Sequence, residues 1–364
     1  LLKLRASLGY LGNISFEPYQ ALTMYTSLAG LNYIKGIGAV PMGIGNKNLK
    51  WERTLSANLG LDLTMFKGRW DFSADVYVKN TDNLLLDITK APSLGITTSR
   101  ENVGEVENHG FEFQTRVIPI KNKDWEWSLS LNYAYNKNKI KKISNALREQ
   151  NEKNQAKGGV TPLPIYEEGQ SLTALKVVSS AGIDPITGNE VFIKRDGSLT
   201  FVYDPNDKVV YGDTTPFGMG SLGSYLTYKQ FSMGMSMRYS FGGAVYNQTL
   251  ASKVEGADPR YNADERVFSS RWKEIGQQAK YKRISDSSVP MQTSRFVETN
   301  NYITLSSLSL AYEVPLTFIK RYGLKRLHLE MLANDLFYLS SVKRERGLSY
   351  PYERSVEFSV RLGF

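Results

Sequence analysis

Apolar and polar residues alternate over about ten positions at a time, and repeatedly, along this 364-residue chain. That pattern predicts an all-β fold, the wall of a transmembrane antiparallel β-barrel. Side chains on a strand point to opposite faces with a period of two, so each such segment has one greasy and one polar face. Strands in soluble sheets usually end after ~5–6 residues, whereas a strand that crosses a bilayer needs ~9–11. No run approaches the ~20 apolar residues of a helical span, which leaves strands as the means of crossing.

The first segment sets Leu2, Leu4, Ala6, Leu8 and Tyr10 against Lys3, Arg5, Ser7 and Gly9. From Thr54 to Met65 the apolar side reads Leu55, Ala57, Leu59, Leu61, Leu63 and Met65, so Leu59 and Leu61 are expected to face lipid and Asn58 and Asp62 the lumen. Trp70, Phe72, Ala74, Val76 and Val78 oppose Asp71, Ser73, Asp75, Tyr77 and Lys79. Trp125, Trp127, Leu129, Leu131, Tyr133 and Tyr135 follow, then Phe231, Met233, Met235, Met237, Tyr239 and Phe241. The last segment carries Val356, Phe358, Val360, Leu362 and Phe364 on one face. A chain that ends on an aromatic in mid-strand suits a barrel whose final strand closes the sheet. The opening residues lie within a strand and show neither the charged nor the apolar region of a signal peptide. The expectation is that residues 1–364 are the C-terminal part of a longer barrel. Its N-terminal strands would complete the wall, because lipid cannot hydrate an open edge.

Composition agrees. Only 41% of residues are hydrophobic, which a membrane protein tolerates if half of every strand faces water. The absence of Cys fits a chain that crosses an oxidising compartment unfolded. A net charge of +9 would suggest nucleic acid if the cations shared one face. Instead they fall in Lys121-Asn122-Lys123, Lys137 to Lys142 and Lys343-Arg344-Glu345-Arg346, which read as solvated turns and loops. No nucleic-acid partner is expected.

Short and long connections alternate. Tight turns are expected at Lys67-Gly68, Lys121 to Asp124, Lys229-Gln230 and Pro315 to Gly323. Long polar loops cover Gly12 to Asn48, Ala91 to Val103, Ser144 to Leu163, Asp184 to Pro216, Asn247 to Asn300 and Ser340 to Pro351. Bacterial barrels carry short turns on the periplasmic side and long loops outside. Taking Leu172 to Ile183 as one strand gives an odd count that inverts the early loops. A second crossing near Asn189 to Tyr203, with an inside turn at Asp184 to Gly188, restores parity and gives about twelve strands; ten is the even number otherwise available. The charged segment Lys141 to Lys157 reads as a short helix within its loop.

Motifs of soluble chemistry do not fit their surroundings. Gly218-Met219-Gly220-Ser221-Leu222-Gly223 matches G-x-G-x-x-G but opens a strand, where a dinucleotide site needs a helix N-terminus. Small residues entering a wall explain it better. The Gly-rich stretch Gly36 to Gly45 reads as mobile surface. The two histidines, His109 and His328, lack the nucleophile and orienting acid of a hydrolase. Asp184, Asp196 and Asp204 offer oxygens near a Gly, but Asp-Pro and Thr-Gly make a turn the simpler reading than a calcium loop. No catalytic, cofactor or metal residue is assigned, and no enzymatic activity is expected. Trp51, Trp70, Trp125, Trp127, Tyr133, Tyr135, Tyr239 and Phe241 read as interfacial girdles. Tyr25, Tyr33, Tyr166 and Tyr261 lie in loops and could be girdle-independent platforms for sugars.

The chain resembles the C-terminal half of a SusC/RagA-type TonB-dependent outer-membrane transporter of Bacteroidetes. The similarity is carried by Leu2 to Asn13, by Asn48-Leu49-Lys50-Trp51-Glu52 and by Asn102 to Glu112, in which His109 falls on a variable position. It continues through Gly182-Ile183-Asp184-Pro185-Ile186-Thr187-Gly188, Asn301 to Tyr312 and Asn334-Asp335-Leu336-Phe337. Many members carry an Asp-Pro-Glu segment before the last Tyr-Pro; Val342 to Leu348 stands there instead. The resemblance implies a barrel of ~22 strands with a plugged lumen. It also implies a SusD-like surface lipoprotein as lid, coupling to TonB through an N-terminal plug region, and import of a large nutrient, oligosaccharide or peptide. It carries over no substrate-binding residue. Two other readings share part of the pattern: a passive porin or surface adhesin on the same barrel, and a soluble secreted β-sandwich binding module.

Overall fold

The computed structural model describes residues 1–14, 21–33, 36–258, 260–343, 345 and 354–364. In chain order its strands are β1 (Leu2–Asn13), β2 (Met24–Tyr33), β3 (Gly36–Gly43), β4 (Glu52–Met65), β5 (Trp70–Thr89), β6 (Thr98–Lys121), β7 (Trp125–Ile143) and β8 (Ala174–Ile183). They continue with β9 (Glu190–Ile193), β10 (Leu199–Thr200), β11 (Lys208–Asp213), β12 (Gly218–Tyr228), β13 (Phe231–Tyr246), β14 (Val297–Glu313), β15 (Arg326–Ser340) and β16 (Ser355–Gly363). Among the described residues, ten strands form one antiparallel sheet in the order β1-β4-β5-β6-β7-β12-β13-β14-β15-β16. The sheet is open, with β1 and β16 as its edges.

Register makes the two faces coherent across strands. Ala6, Leu59, Val76, Phe111 and Tyr135 face one another in a single row from β1 to β7. The next row is Arg5, Gly60, Asp75, Glu112 and Ala134. A one-residue slip of β4, β5 or β6 would carry carboxylates into the apolar row, and a slip of β1 would carry Arg5 there, so the pattern specifies the pairing. Leu59 is 61% exposed and Phe358 77%, as expected of an outer face made to meet lipid rather than a protein core.

Aromatic pairs mark both ends of that outer face. At the tight-turn end Trp125 lies 4.1 Å from Tyr228 and Phe231 4.5 Å from Tyr312, ring centre to ring centre. At the other end Phe111 meets Tyr133 at 5.6 Å and Tyr135 at 5.5 Å, and Tyr239 meets Phe241 at 5.6 Å. The Gly218-Met219-Gly220 stretch opens β12 between these rings. A Cβ on Gly220 would stand 2.6 Å from the Tyr239 hydroxyl and 2.0 Å from the Asn132 carbonyl oxygen. The glycines therefore make room for the girdle, not for a phosphate.

Four connections fall on one end: 66–69, 122–124, 229–230 and 314–325. The first is a helical turn, Phe66–Gly68, with Phe66, Lys67 and Gly68 all at positive φ. The long connections 14–51, 144–217, 247–296 and 341–354, and the eight-residue connection 90–97, fall on the other end. Even parity is reached with ten wall strands, so the expectation of about twelve is corrected to the smaller even number. The segment Leu172 to Ile183 does not cross. Its strand β8 buries Leu175, Lys176, Val177 and Val178 in succession, leaving no face for lipid, and it pairs with β9 and β11 in a four-stranded sheet, β10-β9-β8-β11. The Asp184 to Gly188 turn therefore belongs with the long loops.

Other expectations shift at their edges. Lys137 to Lys142 lie inside β7, not in a loop, and the connection expected over Ala91 to Val103 shrinks to 90–97. The expected helix forms as α1 (Asn145–Ala156), started by Ser144, whose side chain accepts from the Leu147 amide at 3.2 Å. Gly36 to Gly45 is largely β3, paired with β2, so the mobile-surface reading is replaced by a hairpin. Most of Val342 to Leu348, and the loop on to Pro351, lie outside the described residues.

The faces set a direct expectation. Leu59→Arg should cost about 2–4 kcal/mol of folding stability, the range for a cation near the bilayer midplane, while Asn58→Arg on the inner face should cost much less. Folding yield and heat-modifiable gel mobility of each variant in the full-length protein measure this. Equal tolerance at the two positions would mean the faces are reversed or equivalent.

Candidate functional site

The inner face concentrates charge at two places. On β1, β4 and β5, Arg5 donates to both oxygens of Asp62 (2.8 and 3.0 Å) and of Asp75 (3.0 and 2.9 Å), and to Ser73 Oγ at 3.3 Å. Near the tight-turn end of β14–β16, Glu313 accepts from Arg326 at 2.7 Å and lies 2.8 Å from His328 Nδ1. Arg361 donates to Glu330 at 2.9 Å. These polar rows need the water or protein that a lumen supplies, since ionised groups facing hydrocarbon would be costly.

The long connections are not loose. Segments 144–217 and 247–296 fold together above the wall. Ala251, Val254, Val267, Tyr281 and Phe296 form one buried cluster, and Ile88, Val103 and Leu147 join β5, β6 and α1 in another. Val178 of β8 bridges Thr293 across the two segments. Trp272 packs over the Asp184 to Gly188 turn and donates its indole N–H to the Pro185 carbonyl at 2.9 Å. A Cβ on Gly188 would stand 2.6 Å from that indole, and Gly188 also sits at φ +69°.

Buried charges hold this module. Arg295 donates to both oxygens of Glu190 (2.7 and 2.6 Å) and of Glu255 (2.7 and 2.7 Å). Burial alone would lower its pKa, but the four bonds outweigh that and raise it. Arg271, also buried, donates to the carbonyls of Val254, Glu255, Val267 and Lys282. The Lys208 ammonium donates to the carbonyls of Asn154 (3.3 Å), Gln155 (3.1 Å) and Lys157 (3.1 Å), where α1 ends and its dipole favours a cation. Burial nonetheless lowers the Lys208 pKa. A cleft of 540 Å³ opens in the same module, lined by Val160, Ser252, Asp258, Arg260, Asp286 and Ser288 among others. That size and mixed lining suit a few residues of a polar ligand.

Sequence candidates fare unevenly. Asp184 accepts from the Thr187 amide and hydroxyl, Asp196 from the Ser198 amide and hydroxyl, and Asp204 from the Asn206 amide. These bonds hold Asp184 and Asp196 below the usual carboxylate range and commit each to its own turn. His109 is 3.7 Å from Glu107 on the outer face, and His328 stands between Glu313 and Glu330 on the inner one. No hydroxyl bonds either imidazole among the described residues. Tyr166 packs against the Ile88 cluster, whereas Tyr25 and Tyr261 are exposed; the Tyr33 side chain lies outside the description. Arg295, Glu190, Glu255 and Lys208 were invisible to sequence reasoning, because Arg295 reaches 105 residues to Glu190 and 40 to Glu255.

Residues 2–330 match the family described as TonB dependent receptor-like, beta-barrel. TonB-dependent receptor P3 of Formosa agariphila is 30% identical over 356 residues, covering 92% of this chain and 34% of that protein. TonB-dependent receptor SusC of Bacteroides thetaiotaomicron is 31% identical over 218 residues, 57% of this chain and 21% of that protein. The chain thus spans about a third or less of these relatives' length. Among solved structures, the RagAB peptide transporter superposes with a TM-score of 0.79 at 22% identity, over 94% of this chain and 37% of that one.

Removing the central cation should open the module. Arg295→Met leaves two buried carboxylates unpaired, a loss of about 3–5 kcal/mol. Limited proteolysis should then cut within 247–296 while the wall keeps its heat-modifiable mobility; unchanged resistance would show that the network is dispensable. A pH effect is expected at Asp286. Burial pushes its pKa up, but bonds from Ser288 and Lys282 prevail and hold it down, from 3.8 to about 2. A depressed folded pKa stabilises above the unfolded value and is lost as pH falls through the folded one. Amide-exchange protection over 282–288, corrected for intrinsic rates, should therefore fall between about pH 4 and pH 2. Asp286→Asn should lack that step.

Proposed function

Because this chain belongs to the TonB dependent receptor-like β-barrel family, we propose that it is the C-terminal part of the wall of an energised outer-membrane importer for a large nutrient. One observation supports the reading most: a lipid-facing wall with the tight turns 66–69, 122–124 and 229–230 at one end and a folded polar module at the other. Its own residues do no covalent chemistry in this role. The inner face offers paired charges to a plug and to hydrated cargo, and the module offers a mixed cleft and exposed Tyr261, Phe268 and Ile275 to cargo or lid. The wall would be completed to ~22 strands by N-terminal segments, with a plug that answers TonB and a SusD-like surface lipoprotein as lid. The cargo class is an oligosaccharide or a peptide; RagAB is described as a peptide transporter.

Deleting the full gene should abolish growth on one polymer or peptide mixture, and unchanged growth on every candidate would sink the proposal. In planar bilayers the full-length protein should stay closed. Steady conductance without partner or energy would instead identify a passive porin, and solubility without detergent a secreted binding module.

A further inference from the structure

We propose that the outer face of the β6–β7 hairpin, at the loop end, binds the phosphate of an outer-leaflet lipid headgroup. The register places Phe113 and Tyr133, Phe111 and Tyr135, His109 and Lys137, and Glu107 and Lys139 in successive outward pairs. The face therefore changes within one step from aromatic to basic.

Height fixes what that change means. From Trp125 to Tyr135 the outward side of β7 is apolar. Ten residues at ~3.3 Å advance roughly 33 Å, and a tilt of ~40° leaves roughly 25 Å along the bilayer normal, the height of a barrel's apolar band. Trp125 and Tyr135 thus mark the two interfaces of this strand. Lys137 is the next outward residue, roughly 5 Å higher, and Lys139 roughly 10 Å higher, level with headgroups rather than bulk water.

The charges there do not balance. Lys141 is paired with Glu107 at 2.7 Å, and His109 lies 3.7 Å from the same carboxylate. Lys142 stands opposite Glu105 in the ladder. Lys137 and Lys139 are exposed; Lys139 stands opposite Glu107 and Lys137 opposite His109, so this outer stretch sets four lysines, Lys137, Lys139, Lys141 and Lys142, against two carboxylates, Glu105 and Glu107. Lys137 and Lys139, two residues apart on one face where lysines outnumber carboxylates, can approach one phosphate together. A phosphate borne by a lipid brings its acyl chains against Phe111, Phe113, Tyr133 and Tyr135 directly below. A free phosphate gains nothing from those rings, so the aromatic floor argues for the lipid.

The test uses the full-length protein in phosphatidylcholine nanodiscs doped with bis-phosphorylated lipid A or with the same lipid after removal of its phosphates. Lipid retained through detergent extraction is read by native mass spectrometry. The wild type should retain the phosphorylated form selectively. Lys137→Gln/Lys139→Gln should lower its affinity about thirtyfold, from the contribution of two basic residues at an anionic surface. Lys137→Arg/Lys139→Arg should keep it, Lys123→Gln in the opposite turn should change nothing, and heat-modifiable mobility checks that each variant is folded. Equal retention of both lipids overturns the assignment, as does a Gln variant that binds like the wild type. Displacement by millimolar inorganic phosphate would reassign the site to a free anion, and loss of self-association with unchanged lipid would reassign it to a second copy.

Discussion

A peptide group inside hydrocarbon has no water to bond, and each one left unsatisfied costs several kcal/mol. In this chain that requirement is met strand by strand. Every wall strand between the edges is hydrogen-bonded on both sides, and pairing continues strand to strand from β1 to β16, with register shifts at Ser236/Met237 and Leu305/Ser307 among others. Once the ladder is fixed, the pleat decides everything else about the wall. The row through Leu59 must be apolar because it meets lipid. The row through Arg5 and Asp75 is free to be charged because it does not.

Beyond the bilayer the same chain follows the rules of a soluble core. β5, β6 and β7 run 20, 24 and 19 residues, longer than a crossing needs, and their upper ends pack on α1. There Val103 and Val106 are buried. The loop module then uses what the wall cannot: full burial of Val177, Val178 and Phe296, and ion pairs sealed from solvent around Arg295. Such pairs are weak net contributors, but breaking one is expensive. Their value to the molecule is to hold two long insertions in a single arrangement.

The division explains what could be read from the sequence. Two-face alternation is local, so the wall strands, their lipid-facing rows and the tight turns at 66–69, 122–124 and 229–230 were legible. So was the fold class, with its likeness to known transporters. Alternation failed at β8, where a run of buried residues on both faces resembles a crossing in hydropathy but not in period, and the strand count came out too high. Lys137 to Lys142 misled in the other direction. A polar run suggests a loop, yet hydrogen bonding continues through it, because β7 leaves the membrane before it ends. The network around Arg295 had no local signal, and neither did the three carbonyls that receive Lys208; tertiary folding alone assembles them.

The two ends of the wall also differ in what they must do. Ten antiparallel strands put both edge strands' outer ends on the tight-turn side. The Thr64 amide donates to the Leu1 carbonyl at 2.8 Å, beside the 66–69 turn, and the Lys325 amide donates to the Gly363 carbonyl at 2.8 Å. On that side the connections need only reverse the chain, and positive φ at Phe66, Lys67 and Gly68 is enough. The loop side carries over a hundred residues of ordered structure whose contacts are mostly with one another. A module that is folded on its own terms, anchored by strands it did not have to distort, can vary its cleft without disturbing the ladder. Conversely, a charge placed on the outer rows is constrained by depth alone: tolerated above Tyr135, where Lys137 and Lys139 stand, and excluded below it.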